Sequence, residues 1–323
     1  MRIVITGGNG YIGARLSQYL ADKGEQVIPV CYPSIPKEEA WKNKMFAILK
    51  GDLRQDETIK EITELKPDVI IHLVSLDHFD SEKEPGFVNE INVLPTWRLL
   101  DACTKNELKK FIYFSTIQVY GKLPNSIIDE TQPSNTVNTY GLTHLLSEQI
   151  CDHYNRKTAT NVISIRLSNS YGNPIFQENN CWWLAINDLC KNAYINKEIR
   201  LLSDGTPQRD FIYGNDVCEA ISKIIEYHPK EIENNIFHIS SGQTLTIMEI
   251  AKIVRKVYQD RYNQKIPILT PTQVIQEDDP FSESDRYVIS NAKIRKIGFT
   301  PRYDIQTGIN ELFIYLEKNY DKV

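Results

Sequence analysis

No stretch of this 323-residue chain approaches the roughly 20 consecutive apolar residues that a membrane-spanning helix needs, so no membrane partner is expected. The opening residues, MRIVITGGNG, lack a long apolar stretch and a small-residue cleavage site; they read as a strand entering a turn, not as a signal peptide. There is no Lys/Arg block and the net charge is −5, which makes nucleic acid an unexpected partner. Any anionic ligand must then be held by a few local arginines and helix ends. None of the six cysteines (Cys31, Cys103, Cys151, Cys181, Cys190, Cys218) forms a CxxC pair, so no zinc or redox motif is visible. Their scatter suits a reduced, cytoplasmic protein in which they are small core or surface residues. Internal repeats, low-complexity tracts and linkers are also missing.

What is present is alternation. Strand-like runs at Arg2–Thr6, Gln26–Cys31, Phe46–Leu49, Asp68–Leu73, Lys110–Ser115 and Asn161–Leu167 are separated by helical spacing at Tyr11–Lys23, Thr58–Leu65, Leu94–Lys105 and Tyr140–Asn155. This pattern predicts an α/β fold, a doubly wound parallel sheet of Rossmann type covered on both faces. The second half is less regular. Helices are expected at Trp182–Asn192, Asp216–Tyr227, Thr246–Gln259 and about Ile305–Asn319. The expected division is a dinucleotide-binding domain over 1–172 plus about 210–240, and a smaller C-terminal substrate-binding lobe over about 173–209 plus 241–323. The cleft between sheet ends and lobe is the expected site.

The segment Thr6-Gly7-Gly8-Asn9-Gly10-Tyr11-Ile12-Gly13 follows the first strand and opens the first helix. That context makes it a phosphate-binding turn: glycine permits the tight turn and the close backbone approach, and the helix N-terminus offers N–H donors to a pyrophosphate. The second strand ends Val30-Cys31-Tyr32-Pro33-Ser34, with neither an acidic residue for the adenosine ribose nor an arginine for a 2′-phosphate. NAD and NADP are both left open.

The ordered series TGGNGYIG, Gly51-Asp52-Leu53, FSTIQVYG, Tyr140, Asn169-Ser-Tyr171-Gly172, Gly205-Thr-Pro-Gln-Arg209-Asp210 and Ser241-Gly242 resembles the extended short-chain dehydrogenase/reductase family. More narrowly, it is similar to the NAD-dependent sugar-nucleotide epimerase/dehydratase branch, over nearly the whole chain. The resemblance implies that Gly7, Gly10, Tyr11, Ile12 and Gly13 hold the cofactor phosphates. It makes Asp52 and Leu53 adenine contacts, and lays Leu73, Val74 and Ser75 along the cofactor. Thr116 and Tyr140 take the catalytic hydroxyl positions, and Tyr140 is also a cofactor contact. Asn169, Arg209 and Arg286 take substrate positions, the arginines gripping a sugar-nucleotide diphosphate. The family also pairs subunits through two helices, here Leu94–Lys105 and Leu142–Asn155, which implies a homodimer.

Two departures bear on the chemistry. Four residues after the tyrosine the family has a lysine; this chain has His144, on the same helical face as Tyr140 and still able to reach the cofactor. Three readings stay open. His144 is protonated in place as a weaker lysine, giving a pH profile in the histidine range that His144→Lys shifts upward. Or the tyrosine works as an acid and needs no activation, as in a ketone reductase. Or the site is a non-catalytic binder. Secondly, the 4,6-dehydratases carry an Asp-Glu pair after the threonine, where this chain has Ile117 and Gln118; neither can move the protons of water elimination. The leading expectation is an NAD(P)-dependent nucleotide-sugar epimerase working at C4. The alternatives are an NAD(P)H-dependent reductase of a 4-keto-6-deoxy nucleotide sugar and a silent dinucleotide binder. His72, Asp77 and His78 meet no metal-spacing template; His72 is expected to face the sheet core. The Trp182-Trp183 pair is read as core filling, with stacking on the nucleotide base as the alternative.

Overall fold

The computed structural model describes residues 1–228, 235–272, 274–275 and 286–319. Seven strands form its main sheet: β1 (Arg2–Thr6), β2 (Gln26–Cys31), β3 (Leu49–Lys50), β4 (Val69–His72), β5 (Lys110–Thr116), β6 (Asn161–Leu167) and β7 (Ile236–Ile239). Their spatial order is β3-β2-β1-β4-β5-β6-β7, and every neighbouring pair is parallel. The order reverses between β1 and β4, which opens a crevice beyond their C-terminal ends.

The sheet is buried on both faces, and side-chain alternation divides its core. Ile3, Ile5, Ile71, Ile112 and Ile163 pack with Leu16 and Leu20 of the helix Tyr11–Asp22 and with Ile221 and Ile224 of the helix Gly214–Glu226. Val4, Ile70, Phe111, Tyr113 and Val162 face the other way, onto Leu99 and Leu100 of Leu94–Cys103 and Cys151 and Tyr154 of Thr139–Lys157. Each such fully buried aliphatic side chain contributes about 1.5–3 kcal/mol. A third core, built around Tyr171, Leu189, Val254 and Phe313, holds the helices Ala185–Asn196, Ile247–Tyr262 and Ile305–Asn319 together. The strand Gln208–Tyr213 runs parallel to Asn169–Tyr171 and antiparallel to Thr244–Thr246, linking this region to the sheet ends. Among the described residues, no helix is long and apolar enough to cross a membrane. All six cysteines are free and buried.

Two expected elements move. The third strand is Leu49–Lys50 rather than Phe46–Leu49: Phe46 donates its N–H to Val27 but its side chain is exposed, so the run does not join the sheet until Leu49. The helix expected over Trp182–Asn192 is Ala185–Asn196, because Leu184 is extended and acts as its N-cap while both tryptophans lie in the preceding turn.

Candidate active site

β1 delivers the chain directly into the glycine turn. Gly7 has φ +69°, a conformation that side chains disfavour, and its carbonyl accepts from Gly10 N–H at 2.9 Å. A Cβ on Gly13 would lie 2.1 Å from that same carbonyl oxygen, so helix and turn close only on glycine. The helix begins at Tyr11 with no side-chain cap on Gly10, and Gly10 itself lines the crevice. The crevice is a cleft of about 270 Å³ lined by Gly7, Gly10, Tyr32, Asp52, Leu53, Leu73, Val74 and Ser75, among others. Tyr11, Ile12 and Gly13 stand behind it: the Tyr11 hydroxyl donates to Gly172 O at 3.0 Å, and Ile12 packs on the core.

Arg54 also lines the cleft, and sequence reasoning missed it. Its guanidinium donates Nε and Nη2 to Asp52 (2.6–3.0 Å) and lies 3.5 Å from the Tyr32 hydroxyl. This pairing holds the Asp52 carboxyl below the usual carboxylate range. The Asp-x-Arg spacing was the available signal.

The two hydroxyls come from the end of β5 and from the helix whose His144 reaches Ser75 of the cleft lining. Thr116 ends β5, and its Oγ1 accepts from Gln118 N–H at 3.2 Å. Tyr140 lies in the first turn of the helix Thr139–Lys157, whose N-cap is Asn138: Oδ1 accepts from Gly141 N–H at 2.7 Å and Nδ2 donates to Gln118 Oε1 at 3.0 Å. The loop after β4 is tied to the same helix start, with Glu82 accepting from Thr139 N–H and Oγ1. Burial pushes the Tyr140 phenol up to about 12, opposed by its hydrogen bond with Thr116.

His144 lies one turn on, its ring 4.5 Å from that of Tyr140 and edge-on to it. It is 2 % exposed. Nδ1 is 2.8 Å from the Tyr113 hydroxyl and Nε2 is 3.1 Å from Ser75 Oγ. Burial pushes its pKa down to about 3, so the imidazole is neutral. The reading of His144 as a protonated substitute for lysine loses its support; the neutral ring lies against Ser75, which lines the cleft. His72 faces the sheet interior, bonded to Thr6 Oγ1 at 2.6 Å, and is likewise pushed down to about 3.

Behind the hydroxyl pair lies a buried ion pair that the sequence did not announce. Arg166 of β6 donates Nη2 to Glu148 at 2.7 Å, Ser115 Oγ donates to the same carboxylate at 2.5 Å, and the guanidinium covers the Tyr120 ring. Glu148 sits two turns beyond Tyr140, so this pair locks the tyrosine's helix against β5 and β6. Losing one partner of such a pair costs about 3–5 kcal/mol, because the other charge stays buried.

The substrate-side residues gather at the edge of the strand Gln208–Tyr213. Asn169 Nδ2 donates to Asp210 O at 2.9 Å. The Asp210 carboxylate is consumed by the 241–243 turn, accepting from Ser241 N–H and Oγ, Gly242 N–H and Gln243 N–H. It is therefore no salt-bridge partner for Arg209, which is exposed and donates Nη1 to Gln208 O at 2.7 Å. Arg286 reaches the same strand pair but is already engaged, by Glu249 at 2.7 Å and Thr244 O at 3.1 Å. His78 packs on Phe79 (3.9 Å) and meets Trp183 (5.4 Å), a half-exposed aromatic group shared by the β4 loop and the C-terminal region. Trp182 packs on Tyr315.

The profile of the NAD dependent epimerase/dehydratase family matches residues 3–240. The chain belongs to this family. Among relatives, a dTDP-D-glucose 4,6-dehydratase of Mus musculus is 24% identical over 99% of this chain and 89% of its own length. A putative UDP-glucose 4-epimerase of Methanocaldococcus jannaschii is 24% identical over 98% of this chain and 99% of its own. The crystal structure of Thermus thermophilus UDP-glucose 4-epimerase in complex with NAD superposes with a TM-score of 0.80, at 21% identity, covering 98% of this chain and 99% of that one. That likeness establishes the fold.

Within the epimerase/dehydratase family the departures noted above now have places. Ile117 is buried, and Gln118 is committed to Asn138. At the family's lysine position the chain sets a neutral imidazole between two hydroxyls.

Proposed function

We propose that the chain is an NAD-dependent epimerase of a nucleotide-linked sugar, inverting the C4 carbinol through its ketone. The observation that carries this is the Thr116–Tyr140 hydroxyl pair at the end of β5, beside a cleft suited to a dinucleotide. The cleft fits such a ligand because the Gly7–Gly10 turn presents backbone and an uncapped helix N-terminus where a side chain would intrude. A nicotinamide dinucleotide bound there supplies the acceptor and then the donor of the C4 hydride and, when oxidised, a positive charge beside the phenol. Tyr140, ionised beside the oxidised ring, would take the C4 hydroxyl proton as that carbon is oxidised and would return it when the ketone is reduced on its opposite face. Thr116 holds the reacting oxygen. Asp52 and Leu53 meet the adenine end, and Leu73, Val74 and Ser75 flank the nicotinamide half. Arg209 binds the diphosphate, assisted by Asn169 and by Arg286 once it releases Glu249.

Water elimination is disfavoured in this proposal, since Ile117 and Gln118 supply no acid or base. A second reading has one observation in its favour. A phenol held at about 12 beside a neutral imidazole is ready to act as an acid, as a reductase of a 4-keto-6-deoxy nucleotide sugar requires. Incubation with UDP-, dTDP-, GDP- and CDP-hexoses and their 4-keto-6-deoxy forms, with NAD or NADPH, separates the readings. An isomer of unchanged mass without net cofactor use supports the epimerase. A two-hydrogen gain matched by NADPH loss replaces it with the reductase, and loss of water replaces it with a dehydratase.

The same proposal includes a homodimer. Leu94, Trp97, Leu142 and Leu146 are exposed on the outer faces of Leu94–Cys103 and Thr139–Lys157, two helices that pack on each other, and form an apolar strip suited to a second copy. Sedimentation as a monomer at micromolar concentration would count against it. Free, buried cysteines suit a reduced cytoplasmic setting.

A further inference from the structure

We propose that Tyr113 is a positioning residue for His144: its hydroxyl donates to Nδ1, fixes the ring as the Nε2–H tautomer, and thereby aims a neutral donor at Ser75 on the wall of the dinucleotide cleft. The inference rests on the reading of that cleft as the cofactor site.

The hydrogen-bond directions lead to this assignment. Ser75 Oγ donates to Leu76 O at 2.8 Å, so toward His144 it can only accept. Nε2 therefore carries the proton. A neutral imidazole has one N–H, so Nδ1 is an acceptor, and the hydroxyl 2.8 Å from it, that of Tyr113, is the donor. Every member of the chain Tyr113–His144–Ser75–Leu76 is satisfied in this arrangement.

The surroundings hold the chain rigid. Tyr113 is 1 % exposed in the middle of β5, on the face covered by the helix that carries His144. The turn bearing Ser75 is pinned from below by Asn92, which is fully buried, accepts from Leu76 N–H at 2.8 Å and donates to Thr143 at 3.1 Å. The Tyr140 ring packs edge-on against the imidazole. A lysine would bring a charge that needs no orientation to be effective. A histidine contributes only through where its single N–H points, and a tyrosine behind it settles that.

The consequence is a fixed orientation for Ser75, the member of the chain that lines the cleft, held by an uncharged partner. Tyr113 touches neither cofactor nor substrate, so its effect runs entirely through His144.

The test is a double-mutant cycle on dinucleotide affinity, joined to a direct reading of the tautomer. Tyr113→Phe, His144→Gln and the double variant are titrated with NAD and NADH by calorimetry. Two-bond proton–nitrogen NMR of the imidazoles, with His144 assigned by its loss in His144→Gln, reports which nitrogen is protonated. The expected result is an Nε2–H tautomer in the parent protein and a tautomer mixture in Tyr113→Phe. Affinity should weaken about three- to tenfold in each single variant, with no further loss in the double. An Nδ1–H tautomer in the parent overturns the proposal. So does additivity of the two substitutions, or a Tyr113→Phe variant that melts lower yet binds NAD unchanged, since that is a packing role only. Should the tautomer and the cycle come out as expected while no sugar nucleotide is turned over, the functional reading falls and the positioning role stands.

Discussion

Burying two neutral imidazoles ties the stability of this protein to pH. His72 and His144 are pushed down to about 3 by burial, whereas an unfolded chain titrates its histidines near 6.5. Below 6.5 the unfolded chain takes up protons that the folded chain refuses. The stabilisation is thus complete above the unfolded pKa and is lost as pH falls toward the folded one. Between pH 7 and pH 5 each ring costs about 2 kcal/mol, about 4 kcal/mol together, a large share of the 5–15 kcal/mol that holds a typical domain. His238, also lowered by burial, adds in the same direction.

Urea unfolding at pH 7, 6 and 5 measures this, and the His144→Gln variant isolates one ring. Its loss of stability over the window should be smaller than the parent's by about 2 kcal/mol. Asp188, Asp210 and Asp216, whose carboxyls burial raises, work in the opposite direction, but they are common to both proteins and cancel in the difference. Identical pH slopes for parent and variant would refute the argument, for they would mean that His144 takes up protons in the folded protein as it does in the unfolded chain. The same experiment decides the chemistry: a ring neutral throughout this window places no limb on the pH–rate profile and gives Tyr140 no cationic help.

Other substitutions test other parts of the site. Tyr140→Phe should lower turnover by about 10²–10⁴-fold while NAD affinity measured by calorimetry stays within about threefold. Arg209→Gln should raise KM for the nucleotide sugar by about ten- to a hundredfold with little change in kcat, as steady-state kinetics would show. Arg286→Gln should instead lower the melting temperature as well, because Glu249 loses its partner. Gly13→Ala forces a Cβ to within 2.1 Å of Gly7 O and should abolish dinucleotide binding in an equilibrium titration.

The Rossmann half was legible because its physics is local. A parallel strand buried on both faces must be a run such as Ile3-Val4-Ile5 or Val69-Ile70-Ile71, and a turn that must bring backbone against phosphate must be glycine. β3 was misplaced because two residues carry too little pattern, and the Trp182-Trp183 pair mimicked the start of an amphipathic helix although it lies in the turn before one. The Glu148–Arg166 pair escaped because charge in a sequence says nothing of a distant partner; the folded chain brings Glu148 and Arg166 together across helix and sheet. Tyr113 escaped for a deeper reason. Within Phe111-Ile112-Tyr113-Phe114 it is one more aromatic in a strand, and nothing marks its hydroxyl until the fold sets it 2.8 Å from a ring 31 residues away. His144 alone looked like a defect in a lysine site. Placed between Tyr113 and Ser75 it is a fully bonded donor. A lysine there would have to place its charge where burial already holds two imidazoles neutral, so the histidine and the tyrosine behind it make sense only as a pair.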